Sequence, residues 1–399
     1  MANLKKYQKE KTLKAVKIEE NIYWVGGIDW NLRNFHGYIT QRGSTYNSYL
    51  VIDEKITLID TVKSYHAQDM IDRISSVIDP GKIDYIITNH AERDHSGALP
   101  EIVKLSPNAE IICTPACEKT LQDYFGKDLK CKTVKSGDSL STGKYKFNFF
   151  HTPMVHWPDN MVTYLEQEKI LFSNDAFGQH LATSERFDDQ YNINIIIEEA
   201  RKYYANIVLP YSSQVQKALS DLSGLTIEII APSHGIIWRK NLGLILEEYT
   251  KWSSGVLKKR ALIIYDTMWD STEMIAKSIE SVFENSGYSV KMYNLQHNHI
   301  SDIMTEVLEA EYICVGSPTL NNNLLPTVAS FLTYMRGLAP KGRKALAFGS
   351  FGWSGQSIKQ VHEILESCNY QMLDMISIKN RPSEESLKGF MEKLKEKIS

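Results

Sequence analysis

The chain has 399 residues, 43% of them apolar and 23% charged, with a formal net charge of −3. That composition is globular, and at roughly 150 residues per domain the length implies two or three domains. Near-neutral charge excludes the broad basic field that nucleic-acid binding needs, and no apolar stretch approaches the roughly 18–20 residues that span a bilayer. The first ten residues carry lysines with no apolar segment behind them, so residues 1–16 are expected to be a lead-in and not a signal peptide. Five cysteines, Cys113, Cys117, Cys131, Cys314 and Cys368, point to a reducing, cytoplasmic setting. Cys113 and Cys117 form a CxxxC pair with no second pair to complete a thiolate site, and they read as buried free thiols.

Short apolar runs bounded by turn signals predict strands at 21–26, 44–52, 56–60, 83–88, 109–114, 145–150, 170–173 and 227–231. Helical periodicity falls at 66–78, 96–105, 117–124, 192–204 and 215–222. This mixture predicts a layered α/β or α+β domain with more than one sheet. A helix at 242–252 runs into Ser253-Ser254-Gly255 and then Lys258-Lys259-Arg260, the pattern of a linker. Strands at 261–265, 289–293, 312–316, 345–348 and 372–378 then alternate with helices at 272–285, 300–308, 327–336, 356–367 and 384–397. Five such βα units predict a doubly wound parallel sheet.

The strand at 83–88 leads into Asn89-His90-Ala91-Glu92-Arg93-Asp94-His95-Ser96-Gly97. Four imidazole or carboxylate groups within six residues can turn toward one metal point. The same loop can also be a polar cap, because Asp94 and Ser96 are good N-cap residues. His156, in His151-Thr152-Pro153-Met154-Val155-His156-Trp157-Pro158-Asp159, follows another strand, as do Asp175 and His234. Strand ends are where α/β proteins gather functional groups.

The order His-x-[His/Glu]-x-Asp-His, then His, Asp and His, resembles the metallo-β-lactamase fold, an αββα sandwich with two metals at its lip. Glu92 stands where the zinc hydrolases of that fold usually have His, and the set His90, Glu92, Asp94, His95, His156, Asp175 and His234 resembles the flavodiiron proteins. Four imidazoles and three carboxylates make a hard N/O set suited to iron. The resemblance implies that His90, Glu92 and His156 hold one non-haem iron, that Asp94, His95 and His234 hold a second, and that Asp175 bridges them. It also implies that His36, in Arg33-Asn34-Phe35-His36-Gly37, and Tyr203, in Lys202-Tyr203-Tyr204-Ala205, are catalytic residues on the substrate side.

The same resemblance demands a flavodoxin-like domain, which the five βα units satisfy. The loop Asp266-Thr267-Met268-Trp269-Asp270-Ser271-Thr272-Glu273 offers hydroxyls and helix-terminal amides for a phosphate, although its carboxylate at Asp270 departs from short-chain flavodoxins. Loops containing Ser317, Pro318, Thr319, Leu320 and Asn321, and Ser350, Phe351, Gly352, Trp353, Ser354 and Gly355, resemble those around the flavin ring. The expected architecture is therefore a lead-in at 1–16, a metallo-β-lactamase-like diiron domain at 17–255 and a flavodoxin-like FMN domain at 256–399. Such a protein reduces dioxygen to water, nitric oxide to nitrous oxide, or both, and pairs head to tail as a homodimer or tetramer. No CxxC pair follows, so electrons are expected from a separate donor, either a rubredoxin-type protein or reduced coenzyme F420. The stretch Gly26 to Tyr38 is similar to that of F420-oxidising relatives. The rival class is a zinc metallo-hydrolase fused to a flavodoxin-like electron carrier, against which Glu92 speaks.

Overall fold

A computed structural model describes residues 13–398 of the chain, which divide into two compact units. The first unit comprises residues up to His36, Thr40–Tyr203 and Ser213–Tyr249. Its larger sheet has seven strands in the order Val16–Glu19, Ile22–Trp24, Tyr49–Val51, Ile56–Ile59, Ile83–Ile87, Glu110–Cys113 and Cys131–Thr133. The smaller sheet has five, in the order Ser139–Ser141, Lys146–His151, Met161–Leu165, Ile170–Asn174 and Ile229–Pro232. Most of the expected lead-in lies outside the described residues, and Val16, assigned to it, instead opens the first strand.

The two sheets face each other across one apolar layer. Trp24, Tyr49, Val51, Ile59 and Ile87 from the first meet Phe147, Phe149, Met161, Leu165, Ile170 and Phe172 from the second. Alternate residues on the first sheet, among them Leu50, Leu58, Ile86 and Ile111, point the other way. They pack on Met70, Ile74, Ile102 and Leu121 of the helices Ala67–Ser75, Leu99–Leu105 and Pro115–Phe125. On the far side of the second sheet, Val162 and Leu171 face Val215, Leu219 and Leu222 of the helix Ser212–Leu222. This is the αββα sandwich, and each buried Phe or Leu contributes about 1.5–3 kcal/mol toward holding the layers together.

The second unit comprises Gly37–Ile39, Tyr204–Ser212 and the chain from Thr250 onward. Its sheet is wholly parallel, in the order Ser289–Asn294, Lys258–Tyr265, Ala310–Gly316, Lys344–Phe351 and Gln371–Met372. Strand order reverses beside the first strand, and the crevice at such a switch point is where doubly wound sheets bind ligands. Ile263, Cys314 and Phe348 of the sheet pack on Ile279 and Phe283 of the helix Ser271–Asn285.

Three local expectations need correction. The run 44–52 is two strands, Ser44–Tyr46 and Tyr49–Val51, that belong to different sheets. Between them, the buried Asn47 amide donates to the carbonyls of Pro232 and Gly235, which turns the backbone. The last run, 372–378, is also two strands, Gln371–Met372 and Ile376–Lys379, which pair in succession with Lys344–Phe351. Met161–Leu165 escaped prediction because all five residues are buried, and a strand buried on both faces has no two-residue polar alternation.

Candidate metal centre and cofactor pocket

Parallel strands deliver their C-terminal ends to one edge of the sandwich. The chain leaves Ile83–Ile87 and presents His90 and Glu92, and the one-turn helix Arg93–Ser96 then carries Asp94 and His95. Asp175 follows Ile170–Asn174 directly, and His234 lies two residues beyond Ile229–Pro232. His156 comes from the loop after Lys146–His151. All seven residues are buried, none more than 9% exposed.

Asp175 sits at the centre. Its Oδ2 lies 3.8 Å from His90 Nε2 and 3.4 Å from His156 Nε2, while its Oδ1 lies 3.1 Å from His95 Nε2 and 3.4 Å from His234 Nε2. Glu92 Oε2 is 3.3 Å from both His90 Nε2 and His156 Nε2. Asp94 closes the other side, with its oxygens 3.4 Å from His95 Nε2 and 3.3 Å from His234 Nε2. Two donor groups result, His90, His156 and Asp175, and Asp94, His95 and His234.

Many of these atoms have no aligned hydrogen bond. Both oxygens of Asp94, Oδ2 of Asp175, and Nε2 of His95 and His234 are buried without one. An isolated buried carboxylate costs several kcal/mol, so this many buried donor atoms without a hydrogen bond, aimed at two points, fit a pair of cations. The field there attracts positive charge. Burial alone pushes Glu92 up, yet hydrogen bonds from His156, His36 and His90 bring it well below the usual carboxylate range. Burial opposes protonation of His234, but Asp175 and Asp94 raise it to about 10.

The second unit holds a cavity of about 470 Å³ at the carboxyl end of its sheet, within the usual range of small-ligand sites, about 300–1,000 Å³. Met268, Trp269, Ser271, Pro318, Thr319, Ser350, Phe351 and Gly352 line it, together with Asn380 and Arg381. Close backbone approach is built in, because a Cβ on Gly349 would lie 2.0 Å from the Ser317 carbonyl oxygen. Thr267 Oγ1 is buried with no partner, an orphaned donor in the loop after the first strand.

The chain matches the family model of the ODP family beta lactamase over residues 45–235 and that of flavodoxin over residues 263–393. It is 44% identical over 363 residues to the nitric oxide reductase of Moorella thermoacetica, covering 90% of this chain and 91% of that protein. It is 42% identical to the rubredoxin-oxygen oxidoreductase of Megalodesulfovibrio gigas, covering 93% and 94%. The flavodiiron protein of Giardia intestinalis superposes with a TM-score of 0.94 at 34% identity, covering 97% of this chain and 96% of that one. The chain belongs to the flavodiiron protein family.

In this flavodiiron protein all seven residues expected as metal ligands come together. Of the two expected catalytic residues, Tyr203 donates its hydroxyl to Asp175 Oδ1 at 3.0 Å, and His36 Nε2 lies 2.8 Å from Glu92 Oε1. The expected flavin residues divide. Eight line the cavity, while Thr267, Asp270, Thr272, Ser317, Leu320, Asn321, Trp353, Ser354 and Gly355 are not among its lining. Thr272 and Ser317 have internal partners, since Thr272 Oγ1 meets Ser350 Oγ at 3.2 Å and Ser317 Oγ accepts from Leu325 N. Asp270 takes a left-handed conformation with φ 59° and makes no capping bond. Trp269 and Trp353 are 87% and 90% exposed, leaving their ring faces free to cover a planar group.

Sequence reasoning missed the residues behind the ligands. Asp159 holds His90, and the Thr45 carbonyl accepts from His234 Nδ1 at 2.7 Å. Asp159 lay in view two residues past Trp157, but nothing in the chain pairs it with His90. Among the described residues, no helix is long and apolar enough to cross a membrane.

Proposed function

We propose that this protein is a reductase of dioxygen, nitric oxide or both, in which FMN passes electrons to a non-haem diiron site. The observation that carries the reading is the placement of Asp175, whose two oxygens each face a different pair of histidines. His90, Glu92 and His156 are the residues for one iron, Asp94, His95 and His234 those for the other, and Asp175 the bridge. Two irons held there would supply the redox chemistry that takes dioxygen to water with four electrons, or two nitric oxide molecules to nitrous oxide and water with two. Residues lining the cavity of the second unit, among them Ser271, Thr319 and Ser350, would hold FMN, which would supply electrons singly from a two-electron store.

The chain's own groups set the surroundings. Three carboxylates offset much of the charge of two iron ions, and Glu92 in place of His favours iron over zinc. The Tyr203 hydroxyl, buried at 1% exposure, donates to Asp175 Oδ1 at 3.0 Å and holds a proton beside that carboxylate. His36, with a side chain 66% exposed, holds Glu92 at the outer edge and links the site to solvent protons.

The finer assignments are a diiron domain from Val16 to residue 255 and an FMN domain at 256–399, in a homodimer or tetramer that meets head to tail so that each flavin serves its partner's irons. The donor is a rubredoxin-type protein, in keeping with the name of the Megalodesulfovibrio relative, with reduced F420 as the alternative, and the setting is cytoplasmic. Elemental analysis of the purified protein tests the cofactor content, with about two irons and one FMN per chain expected. Single-turnover reaction of anaerobically pre-reduced protein with each gas tests the chemistry. Zinc in place of iron, with ester or thioester hydrolysis and no gas consumption, would overturn the reading.

A further inference from the structure

We propose that Arg381 is the counter-charge for the phosphate of FMN, a cofactor-binding side chain on the loop that follows the last strand. The inference rests on the flavin reading above and adds to it a residue outside the three loops in which flavin contacts were expected. Among the side chains lining the cavity of the second unit, Arg381 alone carries a formal charge.

The need for a cation is chemical. A phosphate monoester carries about −1.5 to −2 charges near neutral pH. The wall that faces it offers only dipoles. These are the hydroxyls of Ser271, Thr319 and Ser350 and the amides that begin the helix Ser271–Asn285, whose terminus is worth about half a charge. Nearby carboxylates worsen the balance. Asp266 is buried at the end of the first strand, where it accepts from Gln296 and Thr327, and Asp270 stands at the helix start. A cation at the cavity offsets these carboxylates and adds full charge to what the hydroxyls and helix-terminal amides supply as dipoles.

Arg381 is built to supply that charge. It forms no ion pair or hydrogen bond among the described residues, so its guanidinium is uncommitted. Its loop is anchored, because Asn380 N donates to the Phe351 carbonyl at 2.7 Å and Lys379 pairs with Phe351 across the sheet. Pro382 follows and is buried, which restricts Arg381 to extended backbone. A guanidinium presents a planar fork of donors that matches phosphate oxygens two at a time, which a lysine ammonium does not.

The test uses full-length protein from which FMN has been removed, titrated with FMN or riboflavin and followed by flavin fluorescence. Arg381→Gln should weaken FMN binding about 10- to 100-fold, the range for a lost charged hydrogen-bonding partner, and leave riboflavin binding within about twofold of the unmodified chain. The FMN defect should shrink as salt rises, since the pair is at the cavity rim and screened. Arg381→Lys should recover part of the affinity. Unchanged FMN affinity in Arg381→Gln overturns the proposal, and so does equal weakening of FMN and riboflavin, which would place the side chain on the ring or in the fold. If the unmodified chain itself binds neither flavin, the flavin reading fails, a result distinct from both.

Discussion

Asp159 holds His90 from behind: His90 Nδ1 lies 3.1 Å from its Oδ1 and 3.0 Å from its Oδ2, and Oδ2 also accepts from the backbone N–H of Ala91 at 2.7 Å. The carboxylate thereby fixes the ring so that Nε2 faces Asp175 and Glu92. Outer partners of this kind typically matter about 10–100-fold in metal affinity or activity. Asp159→Asn should lower iron affinity by about that factor, measured by chelator competition, while FMN content stays unchanged. Full iron retention under chelator would show that His90 needs no such support.

Glu92→His replaces an anionic oxygen donor with a neutral nitrogen. The site loses one negative charge, so the ferric state loses more stabilisation than the ferrous state and the reduction potential should rise. Zinc should compete better, and gas turnover should fall sharply because zinc has no second oxidation state. Metal analysis and turnover from pre-reduced protein check this. A variant with two irons and unchanged turnover would remove the main chemical argument against a hydrolase.

Tyr203→Phe deletes one hydroxyl at a residue only 1% exposed. Asp175 keeps its contacts with four histidines, so iron content should hold. The lost hydrogen bond to a charged group should cost about 1.5–3 kcal/mol, read as a lower melting temperature together with slower turnover. Wild-type turnover would return Tyr203 to a packing role.

Gly349→Ala drives a methyl group to 2.0 Å from the Ser317 carbonyl oxygen. Backbone must move in the loops around the cavity of the second unit. Overpacking of this kind costs about 1–3 kcal/mol, and FMN should be lost or much weakened while both irons remain. Cofactor content by visible absorbance and elemental analysis decides the outcome, and simultaneous loss of iron from a folded variant would count against separate cofactor sites.

Phe149 is fully buried in the layer between the two sheets. Phe149→Ala should destabilise by about 3–5 kcal/mol through lost transfer energy and a residual cavity, seen as a marked fall in the melting temperature of the holoprotein. A fall of only a degree or two would mean that the sheets repack around the gap.

The sequence by itself carried the ligand types and the doubly wound second unit, while for the first unit it carried a layered domain with more than one sheet, made an αββα sandwich only by the resemblance of its ligand order. His90, Glu92, Asp94 and His95 are legible because they crowd one strand end, and His156, Asp175 and His234 because each follows an apolar run. The second unit was legible from the regular alternation of strand and helix, which is a local property of the chain. The inter-sheet core was half visible, since alternation in Lys146–His151 marks Phe147 and Phe149 as inward-facing, whereas Met161–Leu165 has no alternation to read.

Tertiary structure alone decided the rest. That His234 lies beside Asp175 depends on the parallel register of Ile170–Asn174 with Ile229–Pro232, and His90, His95 and His156 reach the same carboxylate from other strand ends. That Asp159 meets His90, 69 residues away, depends on which strand ends the sandwich brings together. Arg381 joins a cavity whose other walls lie mostly in loops after three earlier strands, because Ile376–Lys379 pairs beside Lys344–Phe351. Periodicity along a chain reports which face of an element is buried. Which atoms meet across elements is set by sheet register and layer packing, and these emerge only when distant segments pair.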